Sequence, residues 1–318
     1  MIGGDIRWCC SFILAVTMRA AKKILIVGFG DVGQRLLKQL LPQINSRHLH
    51  VYTLVRQTEG AAISRTLNAT PIFGDLADLH SLSRIAGWAD AVFHFAPPPS
   101  HGLRDTHTRN LIAALSHQRR MLPQRLIYVS TTGVYGNCNG EFISETRIAR
   151  PGTDRAKRRI DAETQLRGWG KQSGVAVSIL RAPGIYAEDR LPLERLKNRT
   201  PALCVSDDVY TNHIHADDLA RAAWAAASRG LPNRVYNVVD DTNLKMGDYF
   251  DAVADCFSLP RAPRLSKVEA MTKIAPPMMS FMNESRRIGN VRLKRELSFR
   301  FRYSSVEDFL RHGLSGSR

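Results

Sequence analysis

Long hydrophobic runs and cysteines are both scarce in this sequence. No apolar run reaches the roughly 18–20 residues that a membrane span needs, and the longest candidate, Trp8–Val16, is much shorter. The five cysteines show no repeated CxxC spacing, so neither a disulfide framework nor a structural zinc site is expected. We therefore predict no membrane partner, no bound metal and a reducing compartment, the cytoplasm.

The composition excludes several protein classes and leaves one unusual feature, an excess of positive charge. With 44% apolar and 23% charged residues, the chain is neither disordered, collagenous nor a coiled coil. It carries 45 Lys and Arg against 29 Asp and Glu, a formal net charge of +16. Such an excess is typical of nucleic-acid-binding proteins and also arises by compositional drift. Because the basic residues are spread over the chain, and their densest cluster, residues 155–159, reads as a solvated helix face, we expect no nucleic-acid partner. The charge also suits an anionic cofactor or substrate.

Short β-branched, apolar runs alternate with segments of helical length. The runs are Ile24–Val27, Val51–Val55, Pro71–Phe73, Ala91–Phe95, Leu126–Val129, Val175–Leu180 and Val235–Val239. Between them, apolar residues recur at the spacing of amphipathic helices. Strands that alternate with helices indicate βαβ units, and strands apolar at successive positions fit a sheet covered on both faces. The sequence thus predicts an α/β fold, a Rossmann-like doubly wound parallel sheet.

A glycine-rich turn follows the first predicted strand. The strand leads into Gly28-Phe29-Gly30-Asp31-Val32-Gly33, a GxGxxG sequence with an amphipathic helix after it. In this context Gly28 allows the tight turn, Gly30 lets the backbone approach a pyrophosphate, and Gly33 lets helix and strand pack closely. The helix N-terminus supplies free N–H groups to the phosphates. We therefore predict a dinucleotide site that includes Gly28, Gly30, Asp31, Val32 and Gly33.

The end of the second predicted strand bears on which dinucleotide binds. NAD-binding proteins usually have an Asp or Glu there to hold the ribose hydroxyls. Here Val55 is followed by Arg56 and Gln57, with no acid. A guanidinium pairs with a 2′-phosphate, whereas a solvated arginine at a strand end would bind nothing. The sequence favours NADP as the cofactor through Arg56, with NAD as the alternative.

The pattern changes at both ends of the chain, and this predicts its division into parts. Residues 1–17 do not fit the alternation and are interpreted as a non-structural N-terminal extension, with Met1 or Met18 as the true start. Residues 18–183 are predicted to form the dinucleotide-binding domain. Residues 184–318 are predicted to complete the sheet and form a small substrate-binding cap. A cluster in this part is interpreted as plain core: Met278, Met279, Phe281 and Met282.

Seven further segments stand in the order expected of one family. They are Gly74–Asp78, His94–Pro98, Ser130–Gly136, Leu180–Tyr186, Asn212–Ala220, Val235–Val238 and Glu296–Tyr303. Through them, residues 22 to about 312 resemble the extended or atypical short-chain dehydrogenase/reductases, the NAD(P)-dependent epimerase/dehydratase family. The resemblance implies cofactor contacts near the adenine, the ribose and phosphates, and the nicotinamide, in that order at Asp75 and Leu76, Ala96 and Pro97, and Ala182 and Pro183.

One departure from the family concerns its catalytic dyad. The resemblance implies a Tyr four residues before a Lys, which lowers the pKa of the phenol so that the Tyr can exchange a proton while hydride moves. If Lys157 is that lysine, Thr153 stands at the Tyr position. If Glu163 sets the register instead, Arg159 replaces the Lys and Arg155 replaces the Tyr. The usual dyad is therefore absent in either register.

Other groups must then carry the chemistry if the protein is an enzyme. No tyrosine lies between Tyr135 and Tyr186, and both belong to turns that the resemblance puts beside the nicotinamide. The resemblance also implies that Thr131 is the family's polar anchor for a substrate oxygen. The predicted catalytic candidates are Thr131, Tyr135, Lys157 and Tyr186.

Three functions remain open at this point. The first is an NAD(P)-dependent oxidoreductase or epimerase/dehydratase-like enzyme that acts on a small carbonyl, hydroxyl or nucleotide-sugar-like substrate. The alternatives are a non-catalytic NAD(P)-binding sensor or regulator and a fold that binds no cofactor. His213 and His215 precede Asp217 at a spacing that could hold a metal, but the resemblance implies a structural and helix-capping segment there. We expect a monomer or homodimer with a small-molecule partner.

Overall fold

The structure is a computed structural model that describes residues 23–117, 121–274, 279 and 282–314. The predicted extension at residues 1–17 lies outside the described residues, as do Met278 and Phe281. Among the described residues, no helix has the length and apolar character needed to cross a membrane.

The strands are numbered in chain order. They are β1 Lys23–Val27, β2 His50–Val55, β3 Thr70–Phe73, β4 Ala91–His94, β5 Arg125–Thr131, β6 Phe142–Ile143, β7 Ala176–Ala182, β8 Gly184–Tyr186, β9 Ala202–Leu203, β10 His213–His215, β11 Arg234–Asn237, β12 Arg264–Leu265 and β13 Arg287–Ile288. Seven of them form one parallel sheet in the order β11-β7-β5-β4-β1-β2-β3. The remaining short strands pair as β10 with β8, β12 with β9 and β13 with β6. The seven strands of the sheet are the seven that the apolar runs predicted.

The helices are numbered in the same way. They are α1 Asp31–Asn45, α2 Thr58–Thr66, α3 Thr106–Leu115, α4 Asp154–Ser173, α5 Leu193–Lys197, α6 Ala216–Arg229, α7 Met246–Cys256, α8 Lys267–Lys273, α9 Val291–Glu296 and α10 Val306–Asp308. Short 3-10 helices span His80–Ile85 and Thr132–Tyr135, and a π-helical turn spans Phe309–Gly313.

Helices cover the sheet on both faces. Successive side chains of a strand point to opposite sides, and here both sides are apolar. In β1, Ile24 packs on the face that holds the leucines of α1 and the alanines of α6. Its neighbour Leu25 packs on the other face, against α3 and α4. This explains why the strands are apolar at successive positions, and it confirms the α/β, doubly wound, Rossmann-like fold.

A third apolar core lies in the C-terminal part of the chain. It joins α5, α7 and α8 with the turn that contains Phe309. Met279 and Met282 are buried in it, as expected for core residues. After residue 184 the chain still contributes to the main sheet, because β11 is one of its strands and α6 packs on its face. The domain boundary at residues 183/184 stays a prediction.

The order of the strands creates a crevice in the middle of the sheet. The chain runs from β1 through β2 to the edge at β3 and then returns to β4, on the other side of β1. At the end of β1, Val27 lies between Leu54 and His94. Connections leave in opposite directions at such a switch point, so a ligand site is expected beyond the carboxyl ends of β1 and β4.

Candidate active site

The glycine turn after β1 is shaped by two close contacts and one open position. Gly28 has a φ of +89°, and a Cβ there would lie 2.3 Å from the backbone nitrogen of Ala96, so only glycine fits. At Gly33, a Cβ would lie 2.9 Å from the carbonyl oxygen of Gly28, where α1 crosses β1. At Gly30, nothing lies within 4 Å of a Cβ. The turn therefore holds open the space in front of the first N–H groups of α1, as a phosphate cradle requires.

The structure brings ten predicted cofactor residues together along one groove. Arg56 is exposed at the mouth of the groove, at the end of β2. Asp75 is fixed in its turn, because its Oδ1 accepts a hydrogen bond of 2.9 Å from the backbone N–H of Ala77. The ten residues that line this groove are Gly28, Gly30, Asp31, Val32, Gly33, Arg56, Asp75, Leu76, Ala96 and Pro97.

The Asp31 carboxylate at the start of α1 is neutralised by arginines. The Arg35 Nε donates a 2.9 Å hydrogen bond to Asp31 Oδ1, and the Arg190 guanidinium lies 3.1 Å from Asp31 Oδ2. These partners offset the repulsion that an unpaired carboxylate would exert on phosphate groups in the groove. A dinucleotide therefore fits the charges as well as the shape of this groove.

A second cavity continues from the groove toward the end of β5. It encloses about 800 Å³. Val32, Phe95 and Arg190 line both spaces, so the two are continuous. Five arginines and one carboxylate are among the residues that line the second cavity: Arg155, Arg159, Arg190, Arg195, Arg286 and Glu284. The electrostatic environment favours a negatively charged ligand.

Thr131, Ala182 and Pro183 all line this second cavity. Thr131 ends β5, and its Oγ1 accepts a 3.1 Å hydrogen bond from the backbone N–H of Gly133. That bond fixes the position of the oxygen while its own hydrogen can be donated elsewhere. Ala182 ends β7, where it lies directly opposite Thr131 of β5. The structure thus groups the three residues that the sequence assigns to the nicotinamide end.

Helix α4 is anchored to the sheet through Glu163. Glu163 is buried, where it accepts a hydrogen bond of 2.7 Å from Ser130 Oγ and is paired with Arg181 at 2.7 Å. With α4 anchored in this way, Arg155 and Arg159 line the cavity. In the register set by Glu163, the resemblance implied Tyr and Lys at these two positions, and that register stays a prediction.

Lys157 points away from the cavity. Its side chain is 46% exposed and pairs with Asp154 at 3.0 Å. Arg158, by contrast, is buried and donates a hydrogen bond of 2.6 Å to the carbonyl oxygen of Gly102. The interpretation of residues 155–159 as one solvated face is therefore wrong, because only part of this segment faces solvent.

The two candidate phenols are buried outside the cavity lining. The Tyr135 hydroxyl donates a hydrogen bond of 2.7 Å to Asn237 Oδ1, and the Tyr186 hydroxyl donates one of 3.0 Å to Asp240 Oδ2. Both side chains are about 1% exposed, and burial raises the pKa of each phenol above its usual value of 10. The structure does not group Tyr135, Tyr186 or Lys157 with Thr131 at the cavity.

His213 lies on the cavity wall, whereas His215 does not. The His213 ring is 4.3 Å from the ring of Tyr249, and burial lowers its pKa to about 3, so it is neutral near neutral pH. Its Nε2 has no hydrogen-bond partner among the described residues. Within the described part of the chain, no three His, Cys, Asp or Glu side chains are grouped as metal ligands.

The sequence did not predict several residues that line the second cavity: Arg190, Arg195, Arg286, Glu284 and Tyr249. His213 was considered only as a metal ligand or as part of a structural and capping segment. These residues bear on ligand binding. Arg195 is an example, because its Nε and Nη1 are buried without hydrogen-bond partners in the described structure. The available signal was the excess of arginine, which the sequence could not assign to one place.

Comparisons with known proteins agree with this geometry. The profile of the NAD dependent epimerase/dehydratase family matches residues 24–238. Human dTDP-D-glucose 4,6-dehydratase is 23% identical over 253 residues, 71% of each chain. A conserved protein of unknown function from Silicibacter pomeroyi DSS has a similar structure, with a TM-score of 0.75, 24% identity and coverage of 93% of this chain and 99% of that one. DesIV, the dTDP-glucose 4,6-dehydratase of Streptomyces venezuelae, has a TM-score of 0.72 at 19% identity, with coverage of 91% and 95%.

The family profile spans about two thirds of the chain, from β1 through β11, and includes both the glycine turn and Thr131. The chain therefore belongs to the NAD-dependent epimerase/dehydratase family of extended short-chain dehydrogenase/reductase enzymes.

Proposed function

We propose that this protein is an NADP(H)-dependent enzyme that acts on a small carbonyl, hydroxyl or nucleotide-sugar-like substrate. The observation that carries the proposal is the continuity of the two spaces. The groove around the glycine turn opens past Val32, Phe95 and Arg190 into the cavity of Thr131. A dinucleotide that lies in the groove can thus present its far end to a substrate in the cavity.

The residues of the chain have distinct parts in this function. The N–H groups at the start of α1 hold the pyrophosphate, and Asp75 holds the adenosine end. Thr131 donates a hydrogen bond to a substrate oxygen, and Ala182 and Pro183 form the wall beside the nicotinamide. The bound nicotinamide supplies or accepts a hydride, the chemistry by which such enzymes interconvert hydroxyl and carbonyl groups.

Arg56 supports NADP over NAD as the cofactor. Its guanidinium lies at the end of β2, on the lining of the groove, and is exposed. This is the position at which NAD-binding folds usually carry an acid for the ribose hydroxyls. A guanidinium there forms charge-assisted hydrogen bonds with a 2′-phosphate.

The relatives support the substrate class. Human dTDP-D-glucose 4,6-dehydratase and DesIV act, by name, on a nucleotide sugar, and DesIV has been solved with NAD and TYD bound. The arginines that line the second cavity suit the phosphates of such a compound. We further expect a monomer or homodimer in a reducing compartment such as the cytoplasm.

One observation keeps a second function in view. In the register set by Glu163, Arg155 and Arg159 take the places at which the resemblance implies Tyr and Lys, and a guanidinium stays protonated near neutral pH. A protein that binds the dinucleotide without turnover, as a sensor or regulator, would have the same groove.

Two measurements test these functions in sequence. Fluorescence titrations with NADPH and NADH should show saturable binding, with NADPH bound more tightly. The complex should then be assayed for absorbance changes at the nicotinamide band with carbonyl compounds, alcohols and nucleotide sugars. Binding followed by turnover supports the enzyme. Binding with no turnover on the whole panel supports the sensor, and absence of binding contradicts both.

A further inference from the structure

We propose that Arg155, Arg159 and Arg286 form a subsite, beside Thr131, for a carboxylate or phosphate group of the substrate. This inference deepens the proposed function, because the identification of the anion as part of a substrate rests on that function. The subsite itself is an anion-binding site in the second cavity and is testable without turnover.

Arg155 and Arg159 both belong to α4. They are four residues apart, so they lie on one face of the helix, and both line the second cavity rather than the groove. Arg159 Nη1 donates hydrogen bonds of 3.0 Å to the Tyr128 hydroxyl and 2.9 Å to the carbonyl oxygen of Val129. These bonds hold its guanidinium two residues before Thr131 on β5.

The wall of the second cavity that Arg155 and Arg159 line is positively charged. Arg286 lines the same cavity, with a side chain only 12% exposed. Its Nη1 donates hydrogen bonds of 2.9 Å to the carbonyl oxygen of Gly136 and 2.6 Å to Glu284 Oε2. Its Nε is buried without a hydrogen-bond partner among the described residues. Three guanidinium groups thus line this wall, and among its described residues Glu284 supplies the one carboxylate.

Keeping these positive charges close together costs free energy. Arg155 is exposed overall, yet desolvation of its guanidinium lowers its pKa, and the nearby charge of Arg159 lowers it further, while Glu284 raises it. An anion between the guanidinium groups would offset both effects by its opposite charge. The fork of an arginine also matches the two oxygens of a carboxylate or phosphate.

The cofactor's own phosphates do not account for this wall. The pyrophosphate is expected at Gly30, and a 2′-phosphate at Arg56, both of which line the groove. Arg155 and Arg159 belong to the second cavity, as does Thr131. The anion at this wall therefore belongs to the substrate, at the end where the family would carry out hydride exchange.

The experiment measures anion binding directly by isothermal titration calorimetry at constant ionic strength. Sodium phosphate and sodium oxalate are titrated into the full chain, with and without saturating NADP⁺. We expect saturable binding of at least one of these anions in both conditions. Replacement by Arg155→Gln or Arg159→Gln should weaken this binding at least about tenfold, the effect of losing one charge-assisted hydrogen bond.

Lys157→Gln is the matched control, because it removes the same charge from the same helix at a side chain that points away from the cavity. It should change anion affinity less than about twofold. Arg159→Lys guards against misfolding of the glutamine variant, since it retains the charge but loses the fork; it should still weaken binding by about threefold or more.

Three results would overturn the proposal: no saturable binding of either anion by the wild-type chain, unchanged affinity in both arginine variants, or an equal loss in Lys157→Gln. A parallel NADP⁺ titration separates the two levels of inference. Anion binding without NADP⁺ binding would contradict the proposed function and keep the subsite, whereas the reverse would contradict the subsite alone.

Discussion

Substitution of Gly30 by valine separates cofactor binding from folding. The backbone at residue 30 has φ −86° and ψ −161°, an extended conformation open to any L-residue. Nothing lies within 4 Å of a Cβ at this position. The side chain of Gly30→Val would therefore project into the cradle without disturbing the protein around it, and the free energy of unfolding should change by less than about 0.5 kcal/mol.

The effect on the dinucleotide should be much larger. The branched side chain would occupy the space in which the pyrophosphate approaches the first N–H groups of α1. Each charge-assisted hydrogen bond contributes about 1.5–3 kcal/mol, so the loss of two corresponds to about 3–6 kcal/mol. Since 1.4 kcal/mol is a factor of ten in affinity, NADPH should bind at least about 100-fold more weakly to Gly30→Val.

The assay is a fluorescence titration with NADPH combined with thermal unfolding of each variant. Gly33→Ala is the contrasting variant, because its Cβ would lie 2.9 Å from the Gly28 carbonyl oxygen and 3.2 Å from Ile26 Cγ2. It should lower the free energy of unfolding by about 1–3 kcal/mol through overpacking. Wild-type affinity for NADPH in a folded Gly30→Val protein would refute the phosphate-cradle interpretation.

Three further predictions concern selectivity, the buried phenols and pH. Arg56→Ala should weaken NADP(H) binding by about 1–3 kcal/mol in titrations and leave NAD(H) affinity within about twofold; equal losses would show that Arg56 does not contact the 2′-phosphate. The double variant Tyr135→Phe, Tyr186→Phe should keep turnover within about tenfold, because neither hydroxyl reaches the cavity, and a loss of 100-fold or more in a steady-state assay would show that they act as acids. Burial raises the pKa of Asp240 to about 7, so the folded state holds a proton that the unfolded state releases above about pH 4. The free energy of unfolding should then fall as the pH rises from about 4 to 7, by up to about 1.4 kcal/mol per unit. Urea unfolding should show this decrease in the wild type and not in Asp240→Asn, and parallel curves would contradict the assignment.

The parts of the site that are local in sequence were predictable. The glycine turn needed only a strand, a GxGxxG sequence and a helix in succession, and Gly28 and Gly33 have the close contacts that this pattern implies. Arg56 was expected near the cofactor because it follows the second predicted strand, and Asp75 because the resemblance implied an adenine contact there. All four residues line the same groove.

The catalytic end was less predictable, because it depends on which face of a helix turns inward. From the sequence, Lys157 and Arg159 were both candidates for the position of the family's lysine. In the structure, buried contacts of Glu163 with Ser130 and Arg181 anchor α4 so that Arg159 lines the cavity and Lys157 does not. The side-chain directions of Tyr135 and Tyr186 were not predictable for a related reason, since their hydroxyls turn into the interior toward Asn237 and Asp240.

The sequence by itself determined the seven strands of the sheet, its α/β class and the glycine turn after β1. These features depend on hydrophobic period and on the absence of a Cβ, which are properties of neighbouring residues. Only the tertiary structure decided that Arg155 and Arg159 from α4, Arg195 from α5, His213 from β10 and Arg286 beside β13 line one cavity. These residues are far apart in the chain, and their meeting depends on how the C-terminal core packs against the ends of the sheet, which no local pattern encodes.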